Sequence, residues 1–310
     1  MKTLRDTHKG ENGMKSSKDL KSAKRTPIGI IELETGPRAV YPMEDFFLNY
    51  TYNKPEHWEA LRLTANIFIE DYQSKIEETM LATIKGAIKV ITQYAFYTGA
   101  IKSSKSQDFK MDEDDDNVTF IEFQNRANTK PPIEFRAPEY LGLSLGHNRG
   151  KNITQMWIMA EDLESVMHNN PYSNYVLRDE VTNKVFPRTS NLVFISLKSL
   201  ANENTVAGEL ARYLLGMEET PQNEAVKKIA ATFSASFGKL KDDKEAKTHM
   251  TLREKYVDEG IEIGREEGRE EGMTQKALQT AIKLLKRGLN PKEVAEDVEL
   301  PLEMVENLSY

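Results

Sequence analysis

Cysteine is absent from this 310-residue chain. That removes disulfides, thiolate catalysis and sulfur-ligated zinc or iron centres. Histidine is scarce at five, and His57, His147 and His168 are too dispersed for the close spacing of a zinc site. No apolar run approaches the roughly 18 residues that span a bilayer. The opening MKTLRDTHKGENGMKSSKDLKSAKRT is basic without an apolar core, so it does not read as a secretory signal. The expected setting is therefore cytoplasmic, with no membrane association.

Hydrophobic residues make up 39% of the chain and charged residues 29%, the balance of a globular protein with charged surface helices. The net charge of −7 argues against a general nucleic-acid coat protein, but charge is segregated along the sequence. Residues 1–26 hold eight Lys/Arg against three Asp/Glu. A polar, basic stretch of this kind reads as a disordered arm over residues 1–27.

From Ile28 the sequence acquires structure. IGIIELE reads as a short strand, and Pro42 to about Tyr97 as helical. In WEALRLTANIFIEDY, Trp58, Leu61, Ala65, Phe68 and Tyr72 share one apolar face. Ile76, Met80, Ile84, Ile88 and Ile91 suggest a second helix from about Ser74 to Tyr94. SQDFKM and VTFIEFQ then read as strands joined by the acidic link DEDDDN. IEFRAPEYLGLSLGHNRG reads as a helix, ITQMWIMA as a strand, and residues 175–200 as further strands with a connection. AGELARYLLGM is helical with Gly216 as its stop, and a further helix follows Pro221.

Composition shifts again in residues 241–273, a charged helix with glycines at 260, 264, 268 and 272. Each glycine costs a helix about 1 kcal/mol relative to alanine, so the stripe reads either as a solvated spacer or as a surface for close helix approach. Residues 274–310 read as a small helical unit. Leu278, Ala281, Ile282, Leu285 and Leu289 form its stripe, Gly288 its stop, and Asn290-Pro291-Lys292-Glu293 the cap of the next helix. Its outline is that of a helix-turn-helix, yet residues 289–310 hold one Lys against six Asp/Glu. A groove reader is basic, so the expected role is homo-oligomer assembly.

Chemistry concentrates between Gln107 and Gln124. Asp108 lies on one expected strand, and Glu122 and Gln124 lie two apart on the next. Alternation puts Glu122 and Gln124 on one face, expected to be the solvent side, and turns Ile121 and Phe123 to the core. Carboxylates on adjacent strands can hold a hard divalent cation such as Mg²⁺ or Mn²⁺, and the Phe123 carbonyl offers a further oxygen. An EF-hand beginning at Asp112 is excluded, because Asn117 falls where glycine is needed and Phe123 where the bidentate glutamate belongs.

Asp108 followed by Glu122-Phe123-Gln124 is similar to the D…ExQ variant of the PD-(D/E)XK nuclease signature. That variant occurs in the Rpn-type recombination-promoting nucleases and transposases. Arg136 and Tyr140 match an R-xxx-Y pattern on the helix after the catalytic strand, and ITQMWIMAEDL resembles the family's next core strand. The EGREEGREEG tail is also common in those proteins. The resemblance implies an α/β fold over residues 28–240, with a restriction-endonuclease-like mixed sheet flanked by helices. It implies an Mg²⁺-dependent deoxyribonuclease acting on DNA in recombination or mobile-element movement. Asp108 and Glu122 would hold the metal, Gln124 would position water or phosphate in place of the usual lysine, and Arg136 would either contact phosphate or form a salt bridge on the helix surface. Tyr140 reads as packing, and Asp45 as a cap or surface charge rather than as the counterpart of an acidic residue near the start of the family's first helix. The rival is a degenerate nuclease core kept as an oligomeric scaffold.

Overall fold

The computed structural model describes residues 25–76, 81–85, 88–98, 101–113, 116–127, 129–186 and 190–308. Most of the expected basic arm, residues 1–24, lies outside them. Two compact units divide the chain, Met1–Glu32 with Gly36–Lys244, and Leu33–Thr35 with Glu245–Tyr310. Among the described residues no helix is long and apolar enough to cross a membrane.

The first unit is mixed α/β. Its centre is a sheet of six strands, β3 (Lys89–Thr98), β4 (Ile101–Asp112), β5 (Asn117–Gln124), β6 (Asn152–Met159), β7 (Tyr172–Tyr175) and β8 (Asn191–Ser196). Their spatial order is β3-β4-β5-β6-β8-β7. β3, β4 and β5 run antiparallel as a meander. β5, β6 and β8 are parallel, and β7 returns antiparallel along β8. The parallel strands are covered on both faces, which is why NLVFIS in β8 is buried at every position and reads as a continuous apolar run. Ahead of the sheet, β1 (Gly29–Leu33) and β2 (Gly36–Val40) form a separate two-stranded ribbon.

On one face of the sheet lies a helical layer in which α1 (Asp45–Tyr52) packs on β3 and on α7 (Glu224–Asp242), and α2 (Trp58–Lys75) and α6 (Val206–Leu214) pack on α7 and on each other. Tyr52 is the hub of this layer. Its ring centroid lies 5.6 Å from Phe109, 6.5 Å from Phe123 and 5.6 Å from Phe233. Phe233 also meets Phe47 at 5.8 Å and Tyr213 at 6.1 Å. The opposite face lies under α3 (Ile133–His147), whose Ile133, Ala137 and Tyr140 bury against Trp157 and Met159. Two short helices, α4 (Glu164–Met167) and α5 (Leu197–Leu200), follow β6 and β8.

The helix expected from about Ser74 to Tyr94 is not formed. α2 stops at Lys75, residues 81–85 and 88 have no regular structure, and β3 starts at Lys89. Of the expected stripe Ile84 is buried and Ile76 exposed, Met80 lies outside the described residues, and Leu81, which is not in the stripe, is buried in the same irregular segment as Ile84. The Asn66 amide clasps Ile84 there, accepting from its N–H at 2.7 Å and donating to its carbonyl at 2.9 Å. Beyond it, β-branched Val90, Ile91 and Thr92 favour extended backbone, and the β4 ladder takes up their backbone groups.

In the second unit α8 (Lys244–Lys286) runs for 43 residues through all four periodic glycines. Those glycines are exposed, with open space where a Cβ would stand, so nothing in the chain's own packing demands them. α9 (Pro291–Asp297) and α10 (Leu302–Glu306) close a small core of Ala281, Leu285, Val294 and Val305. Gly288 turns the chain at φ 87°, and Asn290 Oδ1 caps α9 by accepting from the Lys292 N–H at 2.9 Å.

The Tyr52 hub sets a stability prediction. Phe233→Ala removes a fully buried ring that three other rings touch, and should cost about 3–5 kcal/mol in urea unfolding. A loss below about 1 kcal/mol would mean that α7 does not close this layer.

Candidate metal centre

The β4–β5 ladder pairs Asp112 with Val118, Met111 with Thr119, Lys110 with Phe120 and Phe109 with Ile121. Continuing this register by one step sets Asp108 opposite Glu122. There the bonding passes from backbone to side chains. The Asp108 N–H donates to Glu122 Oε2 at 3.1 Å, and the Phe123 N–H donates to Asp108 Oδ2 at 2.9 Å. Each carboxylate thus reaches across to the neighbouring strand's backbone, and the two acids are locked side by side.

Strand alternation sorts the neighbours as expected. Phe123 turns to Tyr52 in the layer beneath, while Glu122 and Gln124 share the face under α3. The parallel register puts Trp157 beside Glu122 and Met159 beside Gln124. In α3 the buried stripe of Ile133, Ala137 and Tyr140 fixes the helix's rotation, and this brings Arg136 over the strand end. Its Nη2 donates to Glu122 Oε1 at 3.0 Å and its Nη1 to Gln124 Oε1 at 3.3 Å. The guanidinium carbon lies 5.3 Å from the Trp157 ring centroid and 5.5 Å from that of Tyr140. Gln124 is held at its other end, where Nε2 donates to the Arg126 carbonyl at 2.9 Å.

All four expected site residues, Asp108, Glu122, Gln124 and Arg136, therefore meet in one place. One expectation changes. Glu122 does not face solvent: it is 6% exposed, because α3 and Arg136 lie over it. Asp45 is the surface charge expected, exposed at the first residue of α1, and its negative charge also helps to raise both carboxyls. Asn125, not singled out in the sequence, donates from Nδ2 to Asp45 Oδ1 at 3.1 Å. Its position directly after the ExQ triplet was the available signal. Tyr140 is buried against Trp157, with ring centroids 5.9 Å apart, as its packing role requires. The acidic link after β4 begins at Asp112, which pairs with Lys110 at 3.0 Å and Lys151 at 3.9 Å.

Burial dominates the electrostatics. It pushes the Asp108 carboxyl up to about 6, helped by the charge of Asp45 and opposed by the Phe123 N–H and Arg136. Glu122 is raised well above the usual carboxylate range by burial and then by the Asp108 charge, against the Asp108 N–H and Arg136. Burial and mutual repulsion thus hold both carboxyls above their usual range, against the opposing charge of Arg136. Among the described residues no three His, Cys, Asp or Glu side chains converge as a metal group. The candidate side-chain donors for a cation at this place are the two carboxylates. An all-oxygen pair fits Mg²⁺ or Mn²⁺, which bind through one or two carboxylates and keep several waters.

The raised acid predicts a pH signature. An acid whose folded pKa exceeds its unfolded value destabilises the fold at high pH, and the penalty fades as pH falls through the folded value toward the unfolded one. Asp108→Asn keeps an oxygen for the Phe123 N–H and removes the charge. In metal-free buffer it should be more stable than the parent at pH 8, by on the order of 1–3 kcal/mol. The gap should close between about pH 6 and pH 4, followed by thermal unfolding. Equal stability at pH 8 would show that the acids are not in conflict.

Among known proteins, no family model, no curated protein and no solved structure matches the chain.

Proposed function

We propose that the chain is a divalent-metal-dependent nuclease that hydrolyses phosphodiester bonds in DNA. The observation that carries this reading is the Asp108–Glu122 pair, two mutually locked carboxylates at the end of adjacent strands. The resemblance of Asp108 and Glu122-Phe123-Gln124 to the D…ExQ form of the PD-(D/E)XK signature supports it. So does a mixed sheet flanked by helices, in keeping with the restriction-endonuclease-like core that the resemblance implies. A role in recombination or mobile-element movement belongs to the same proposal.

Bound between the carboxylates, Mg²⁺ or Mn²⁺ would supply Lewis acidity to a phosphate oxygen and a nucleophile from water. The protein's own groups do the rest. Asp108 and Glu122 provide the ligating oxygens, with the Phe123 carbonyl as the nearest backbone candidate. Their hydrogen bonds to the backbone hold both in place before any substrate arrives, so little reorganisation is needed. Gln124 is already engaged through Oε1 and through one Nε2 hydrogen. The second Nε2 hydrogen is the one left to orient water or a phosphate oxygen. Being neutral, Gln124 leaves charge stabilisation to the cation and to Arg136, the phosphate contact in this reading.

The second unit is proposed to assemble copies of the chain. Its acidic end would repel a phosphate backbone, and its exposed glycine stripe permits close helix approach.

Incubation of the purified protein with supercoiled plasmid and Mg²⁺ or Mn²⁺ should give nicked and linear forms. Asp108→Ala should lower the rate by at least about a hundredfold. Cleavage unaffected by this substitution, or by chelation of the metal, would remove Asp108 from the chemistry. A chain ending after Lys247 should still cleave, yet sediment as a smaller species than the full chain. An unchanged oligomeric state would rule out assembly through the second unit.

A further inference from the structure

Arg136 does more in this fold than line a substrate path. Its guanidinium bridges Glu122 and Gln124, and its side chain is 17% exposed over a Glu122 side chain that is 8% exposed. It is the only cation among the described residues ion-paired with Glu122. A charge pair this sheltered is screened little by salt, so the guanidinium is a strong competitor for the Glu122 oxygens. A divalent ion coordinated by Glu122 and a guanidinium on the same carboxylate are like charges at close range in a low-dielectric site, and they do not share it comfortably.

Trp157 and Tyr140 hold the guanidinium by contacts that do not depend on the carboxylate. Both rings lie within 6 Å of its carbon, the range in which an aromatic face attracts a cation. Arg136 can leave Glu122 and remain charged, sheltered and aimed at the strand end. Free of its carboxylate, it offers a planar fork of donors suited to two phosphate oxygens.

We propose that Arg136 is a tethered counter-cation of Glu122, which gives up the carboxylate when a divalent metal is bound and then takes the phosphodiester. Metal loading and substrate capture are thereby coupled: without metal, the guanidinium that lies over the two acids is held by its own protein. This rests on the metal-centre reading above and adds to it an order of events. Arg136 is in this sense a positioning residue that reports the state of Glu122.

The test is calorimetric titration of the full chain with Mg²⁺ in the absence of DNA, comparing the parent with Arg136→Gln and Arg136→Lys. Removing the competitor should tighten Mg²⁺ binding by about tenfold in Arg136→Gln. Arg136→Lys, whose ammonium cannot bridge Glu122 and Gln124 as a fork, should lie between and guards against a glutamine variant that fails to fold. In parallel, affinity for a short DNA duplex should rise on adding Ca²⁺ to the parent, and much of that rise should vanish in Arg136→Gln. A purely structural role would weaken Mg²⁺ binding in both variants. Folded variants that bind Mg²⁺ no more tightly than the parent would overturn the proposal while leaving the metal centre standing. If the parent itself binds no Mg²⁺, the metal-centre reading falls and the coupling falls with it.

Discussion

Two carboxylates buried beside each other, with one guanidinium between them and neutrality, is the constraint around which this domain is arranged. Burying an ionised carboxylate is costly unless it is paired and hydrogen-bonded. Here each acid accepts a backbone N–H from the other's strand, and Arg136 supplies the single counter-charge. That arrangement requires β4 and β5 to stop bonding backbone to backbone where Asp108 meets Glu122. It also requires α3 to lie across the strand end with Arg136 on its inner edge. The Tyr52 hub holds the sheet from below, because Phe109 and Phe123, which flank the two acids in sequence, both pack on that ring.

A site kept in electrostatic conflict is a poor stabiliser and a good receptor. The same burial raises Asp108 and Glu122, and the nuclease proposal is that a divalent cation relieves that conflict. Stability comes from elsewhere, from the doubly covered parallel strands and the aromatic layer under α1 and α7. The remainder of the chain, α8 to α10, has its own small core and an exposed stripe that its own packing leaves unused. Division of labour between a rigid sheet carrying the chemistry and a helical appendage bringing copies together is the reading this favours.

Much of the site was legible in the sequence because strand alternation is a strict rule. Once VTFIEFQ is a strand, Glu122 and Gln124 share a face and Phe123 takes the other, and the structure keeps that sorting. Caps were legible for the same reason: Asn290 and Gly288 act locally, without help from distant residues. The stretch after Lys75 was not legible. Its apolar residues at three- and four-residue spacings fit a helix, whereas the bonds that hold the described part irregular come from α2, from Asn66 and Arg62 to Ile84 and from Gln73 to Leu81. The burial of Glu122 was missed because nothing in β5 announces which helix will cover it. The pull of Asp45 on the acids was likewise hidden, since it depends on how α1 approaches a strand more than fifty residues away.

The central claim is that the carboxylates of Asp108 and Glu122 together bind one divalent cation. Crystals soaked in Mn²⁺ and measured at its absorption edge test this most directly. The account predicts one anomalous peak at about 2.0–2.3 Å from an oxygen of each carboxylate, with Arg136 withdrawn from Glu122. A peak elsewhere, or the Arg136–Glu122 pair intact with no anomalous signal between the two acids at saturating Mn²⁺, would contradict it.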